Sequence, residues 1–279
     1  MSKKGQSLAE ALRSAFATGA ILIALAVAFV IYYYVLGNPV NFEGGADLIK
    51  NNIPRDKWHP LAGNYLAMVF KGGMIVPLLI TIIIVLLTFV LERFLTLRKA
   101  KGKGAVNTFV ANLQQYLNNN EIDKAIESCD KQKGSIGNVM KAGLKKYKEL
   151  QTDQRLDKDQ KLLSLQKEFE EATALELPMM SRNLVILSTI ASISVLIGLI
   201  GTVLGMIRAF AALAQAGAPD ALALATGISE ALINTAFGIT GSTLAIIFYN
   251  YFSTKIDTMT YKIDEAGFSL TQTFAAQNK

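Results

Sequence analysis

The chain has one cysteine, Cys129, and one histidine, His59, among its 279 residues. A lone cysteine excludes an internal disulfide, and a lone histidine makes a zinc site or a histidine-based catalytic triad improbable. No GxxxxGK[ST] loop or strand-linked GxGxxG is present, so no nucleotide or other cofactor is expected, and the chain does not read as an enzyme. What the chain has in abundance is apolar sequence. Hydrophobic residues make up 51%, mean hydropathy is +0.33, and the net charge of +6 can be assigned to membrane flanks. That balance describes neither a soluble enzyme nor a nucleic-acid binder, but an all-α polytopic membrane protein.

Two long apolar runs dominate, Leu184 to Leu213 and Ala221 to Phe252, joined by the short segment AQAGAPD. Each exceeds the roughly 20 residues needed to cross about 30 Å of hydrocarbon, so the pair reads as a hairpin of membrane helices. In such a hairpin, residues whose numbers sum to a constant share a depth. With the midpoint near Pro219, Thr202 matches Thr235 and Arg208 matches Glu230. Ionisable groups at this depth cost about 2.5 to 3.5 kcal/mol each, so an ion pair between Arg208 and Glu230 is expected, within a subunit or between neighbours. The rival reading has Arg208 snorkelling and Glu230 among the headgroups. At about 100° per residue, Arg208 and Glu230 are turned away from an axis that both threonines face. The hairpin would then offer a hydroxyl-lined wall with charges on its flanks. Gly198, Gly201 and Gly205 are expected to permit close helix packing.

The other segments read as support. Residues 1–36 form a basic start and an apolar span ending in Tyr32, Tyr33 and Tyr34, which suit the membrane interface better than a signal cleavage site. Residues 37–71 read as a periplasmic loop or short interfacial helices, with Trp58 and a surface His59. A core span occupies 72–95, with Pro77 in its first turn where the missing N–H does no harm. The basic residues Arg93, Arg98, Lys99, Lys101 and Lys103 mark its cytoplasmic end. Residues 96–182 form a cytoplasmic helical domain. Leu113, Leu117, Ile122 and Ile126 predict a helix pair, and Leu162, Leu165, Phe169 and Leu175 a later helix. Glu168, Glu170 and Glu171 read as a solvated face. Residues 183–252 carry the two core helices of the hairpin, and 253–279 an amphipathic tail through Ile256, Met259 and Ile263.

The pieces GLIGTVLGM, GISEAL, NTAFG and YNYF, with LERFLTLRKA after the second span, resemble the MotA/TolQ/ExbB proton-channel family, most closely ExbB and TolQ. The resemblance implies a multi-pass subunit of the bacterial inner membrane, a homopentamer around an ExbD- or TolR-like single-span partner that carries a membrane aspartate. It implies proton-motive-force-driven work, in the ExbB case outer-membrane transport through a TonB-like protein. Thr202 and Thr235 fall on the family's pathway threonines and Glu230 on its acid. Val195 stands where many relatives have proline, Arg208 is outside the pattern, and the span at 19–36 is an addition to the three-helix core. A TolQ-like envelope-maintenance role and a non-conducting scaffold are the alternatives. Beyond those partners and membrane lipids, no nucleic acid is expected.

Overall fold

The structure is a computed structural model that describes residues 19–214 and 221–277. The basic start at 1–18 and the hairpin tip around Pro219 lie outside the described residues. Every regular element among those described is helical, and the one extended pairing is an isolated bridge between Phe42 and Pro60. Four helical stretches are long and apolar enough to cross a membrane: Gly19–Leu36, Ile75–Asn118, Lys158–Ala214 and Ala223–Gln277. Their best 18-residue windows have mean hydropathies of 2.4, 2.8, 2.4 and 1.6. The chain is an all-α polytopic membrane protein.

The chain divides into two compact units. The first comprises residues 1–90 and 186–248 and holds the apolar spans. Its first helix, α1 (Gly19–Leu36), closes in a π-helical turn over Ile31–Leu36. That turn places Tyr32 inward, where its hydroxyl donates to the Phe70 carbonyl at 3.1 Å and its ring stacks on Phe70 at 4.6 Å. Tyr34 stays 73% exposed. The tyrosines thus divide between packing and surface, a distinction set by helix phase. Residues 37–71 are more ordered than a loop. Tyr32, Leu36, Phe42, Leu48, Trp58, Ala67, Phe70 and Val76 form one buried cluster. Within it Phe42 and Trp58 meet edge to face at 5.2 Å, and the Trp58 indole N–H donates to the Ile53 carbonyl at 2.9 Å. His59 is exposed.

The core span is α2 (Ile75–Lys101), with Pro77 in its first turn. In the second unit, residues 91–185 and 249–279, come α3 (Val106–Asn118), α4 (Ile122–Gln132), α5 (Gly134–Thr152) and α6 (Lys158–Ser181). Leu113 and Leu117 are fully buried, and Ile122 nearly so, on α3 and α4. The helix α5 carries much of this core through Met140, Leu144, Tyr147 and Leu150. Asp157 and Gln160 close a capping box at the start of α6. On α6, Leu165 and Phe169 are buried, whereas Leu175, read above as part of the same stripe, is 79% exposed. The Phe169 ring fills the space left by two glycines: a Cβ on Gly143 would lie 2.1 Å from it and one on Gly267 3.1 Å. Cys129 is buried, and burial pushes its thiol up to about 12.

Arg93 is 1% exposed and not part of a solvated basic cluster. Its guanidinium takes both Glu92 oxygens, at 2.7 and 2.6 Å, and donates to the Met180 carbonyl at 3.1 Å. Asn183, at φ 61°, breaks the chain between α6 and α7 (Leu184–Ala214), and its amide reaches Glu92 at 3.4 Å. The last helix, α8 (Ala221–Gln277), is 57 residues long, well over twice what a span needs. Its C-terminal part buries Ile256, Ile263, Leu270 and Phe274 within the second unit. There Gln277 donates to the Leu117 carbonyl at 2.7 Å and accepts from the Tyr147 hydroxyl at 2.6 Å.

Candidate functional site

The hairpin helices approach through small residues. A Cβ on Gly198 would lie 3.0 Å from the Asn234 carbonyl oxygen and from the Gly238 Cα, and one on Gly205 would lie 2.8 Å from the Ala231 nitrogen. From the other side, a Cβ on Gly227 would meet the Ala209 nitrogen at 2.8 Å, and one on Gly238 the Ser194 oxygen at 2.7 Å. Backbone therefore packs on backbone along this seam. Gly201 faces the Asn234 side chain instead, whose Cβ would be 2.5 Å away from an added methyl. Such contacts are how membrane helices gain dispersion energy without a hydrophobic drive.

This seam brings Thr202 and Thr235 together, their hydroxyls hydrogen-bonded to each other and half-buried. Each hydroxyl also reaches the carbonyl one turn back, Thr202 to Gly198 and Thr235 to Ala231, both at 3.2 Å. Three contacts compete for two protons, because each hydroxyl donates once and accepts twice. One contact is always unmade, so the pair can reverse its direction by rotating two hydroxyls. That arrangement can present either a proton or a lone pair to a group beside it.

Nearer the tip, Arg208 and Glu230 form an ion pair within the chain. The Glu230 side chain is 6% exposed and that of Arg208 54%, so the carboxylate is enclosed and the cation caps it. Enclosure comes from Gly73, at φ 75°, where an added Cβ would lie 2.1 Å from the Glu230 Oε1. Only glycine suits both that backbone and that approach. One helical turn along α8, the fully buried Asn234 donates to the Gly72 carbonyl at 2.9 Å. The break between the 65–70 helix and α2 is thus held by two residues of one α8 face. The Asn234 Oδ1 and the Ser194 Oγ are buried with no partner among the described residues.

Asn234, Ser194 and Gly73 were not singled out from the sequence. Asn234 carried a usable signal, an amide inside an apolar run four residues after a membrane acid. Gly73 carried none, since its need for positive φ arises from the fold. Among the described residues, no three His, Cys, Asp or Glu side chains gather as a metal site.

Residues 131–265 match the MotA/TolQ/ExbB proton channel family. An ExbB-like biopolymer transport protein of Synechocystis sp. is 39% identical over 85 residues, which are 30% of this chain and 40% of that protein. The Tol-Pal system protein TolQ of Pseudomonas aeruginosa is 32% identical over 120 residues, 43% of this chain and 52% of its own. The biopolymer transport protein ExbB of Salmonella typhimurium is 40% identical over 70 residues, 25% and 29%. The alignments thus span about half or less of these relatives' lengths.

Proposed function

From the match of residues 131–265 to the MotA/TolQ/ExbB proton channel family, we propose that this chain is the wall-forming subunit of a proton-driven stator in a bacterial inner membrane. The observation that carries the reading is the reversible hydroxyl pair of Thr202 and Thr235 on the close-packed hairpin. A partner aspartate passing this wall would find a donor when charged and an acceptor when protonated. No fixed charge at the wall would trap it. Because a buried carboxylate is costly when charged, alternation between neutral and charged states would drive rotation or rocking of the partner. The ion pair of Arg208 and Glu230 serves as a brace near the hairpin tip, fixed against Gly73.

The assembly is a homopentamer around an ExbD- or TolR-like single-span subunit, and it powers outer-membrane transport through a TonB-like protein. A TolQ-like envelope role is the second reading, favoured by the 120-residue match to TolQ. Affinity purification from the native membrane in mild detergent, followed by intact-mass determination, tests the assembly. The expected species is a homo-oligomer holding a small single-span protein with a membrane aspartate. Recovery of the chain alone, or with soluble proteins on its 96–182 region, would turn the reading to a non-conducting scaffold.

A further inference from the structure

An open cavity of about 1110 Å³ lies within the first unit, between the 55–63 segment and the tips of α7 and α8. Among the described residues its lining carries the basic side chains of Arg55, Lys57, Lys71 and Arg208, together with His59 and the carboxylate of Glu230. Glu230 is already engaged by Arg208. The described lining therefore holds more basic than acidic side chains where apolar helices end, an environment that attracts anions.

The cations have company suited to an amphiphile. The Arg55 guanidinium stands over the Tyr33 ring at 5.2 Å and the Trp58 ring at 5.5 Å, and donates to the Tyr33 carbonyl at 3.4 Å. A guanidinium stacked this way is held in orientation, and its planar fork of N–H donors suits phosphate oxygens. Leu61, Met68 and Met74 supply apolar wall beside it. The neighbouring end of α1 is apolar and open, with Val30 55% and Val35 48% exposed. Charge, stacked arginine and adjoining apolar surface together fit a molecule with a phosphate at one end and hydrocarbon at the other.

We propose that this cavity binds the phosphate headgroup of an anionic phospholipid, with Arg55 and Lys57 as its cationic rim. The acyl chains lie along the apolar surface next to it. The site belongs to the span and segment that precede α2, and it stands whether or not the chain conducts protons.

The test uses the full-length protein in mild detergent, titrated with phosphatidylglycerol or phosphatidylcholine. Bound lipid is counted by native mass spectrometry, and Trp58, the only tryptophan and part of the cavity wall, reports occupancy by fluorescence. Phosphatidylglycerol should be retained in preference to phosphatidylcholine. Lys57→Gln, a change at an exposed side chain, should weaken that retention about fivefold, and Lys57→Arg should restore it. Adding Arg55→Gln should weaken it further, with circular dichroism verifying that helix content is kept. Equal retention of the two lipids, or no effect of Lys57→Gln, would overturn the site. Displacement of the lipid by millimolar inorganic phosphate, with the same Trp58 change, would make free phosphate the ligand and overturn the lipid assignment.

Discussion

Replacing Thr202 by valine separates what the hydroxyl does for the fold from what the proposed proton path asks of it. Valine keeps the branched shape and loses the oxygen. Thr235 is not stranded by the change, since its hydroxyl retains the Ala231 carbonyl at 3.2 Å. Polar contacts between membrane helices average about 0.6 kcal/mol and reach about 1.7 kcal/mol, so the fold should lose a factor of roughly 3 in its equilibrium. Against a typical stability of about 5 to 15 kcal/mol, the protein stays folded. The proposed pathway should be more sensitive. A charged carboxylate that loses one hydrogen-bond donor forfeits about 1.5 to 3 kcal/mol, which slows its passage by about 10- to 150-fold. Proton flux into vesicles that hold the chain with its co-purified partner should fall by that order, while detergent unfolding followed by circular dichroism barely moves. Thr202→Ser should recover the flux. Unchanged flux in Thr202→Val would show that the threonine wall is wrongly assigned. A stability loss above about 2 kcal/mol would instead show the hydroxyl to be structural and refute the claim that Thr235 remains satisfied.

Gly205→Ala pushes a methyl to 2.8 Å from the Ala231 backbone nitrogen, whereas at Gly19 nothing lies within 4 Å. Unfolding titrations should show Gly205→Ala less stable than Gly19→Ala by about 1 to 3 kcal/mol, and equal stabilities would mean that the hairpin seam is not tight. Arg93→Leu removes the bidentate partner of the half-exposed Glu92 carboxylate and the donor to the Met180 carbonyl, so a loss of about 1 to 3 kcal/mol is expected by the same titration. A loss under about 1 kcal/mol would place Arg93 in solvent, as its sequence context suggests. Cys129, with its thiol raised by burial to about 12, should resist maleimide at pH 7 to 9 in the folded protein and react promptly once unfolded. Rapid labelling of the native protein would contradict its burial.

Much of this protein is decided locally and is therefore written in its sequence. Runs such as 184–213 and 221–252 read as helix in hydrocarbon, because a helix satisfies its own backbone and a spanning strand needs only about 9 to 11 residues. Antiparallel geometry then matches Thr202 to Thr235 and Arg208 to Glu230 in depth by counting alone, and both pairs are in contact in the structure. Glycines on one helix face similarly announce a close approach. What counting could not supply is which neighbours fill the space between elements that are distant in the chain. Leu175 follows the helical stripe yet lies exposed, because burial depends on what packs opposite it. Arg93 sits in a basic run but turns inward to Glu92 and Met180, a partner 87 residues away. The aromatic cluster between α1 and α2 arises from Phe42, Trp58 and Phe70, which have no common period. Gly73 matters only because α8 brings Glu230 against it, and the basic cavity only because the 55–63 segment lies near Arg208 and the first turns of α8. Sequence settles helix, span and depth through short-range geometry. The identity of neighbours, and with it the enclosed acid and the cationic cavity, is settled only when the long-range contacts close.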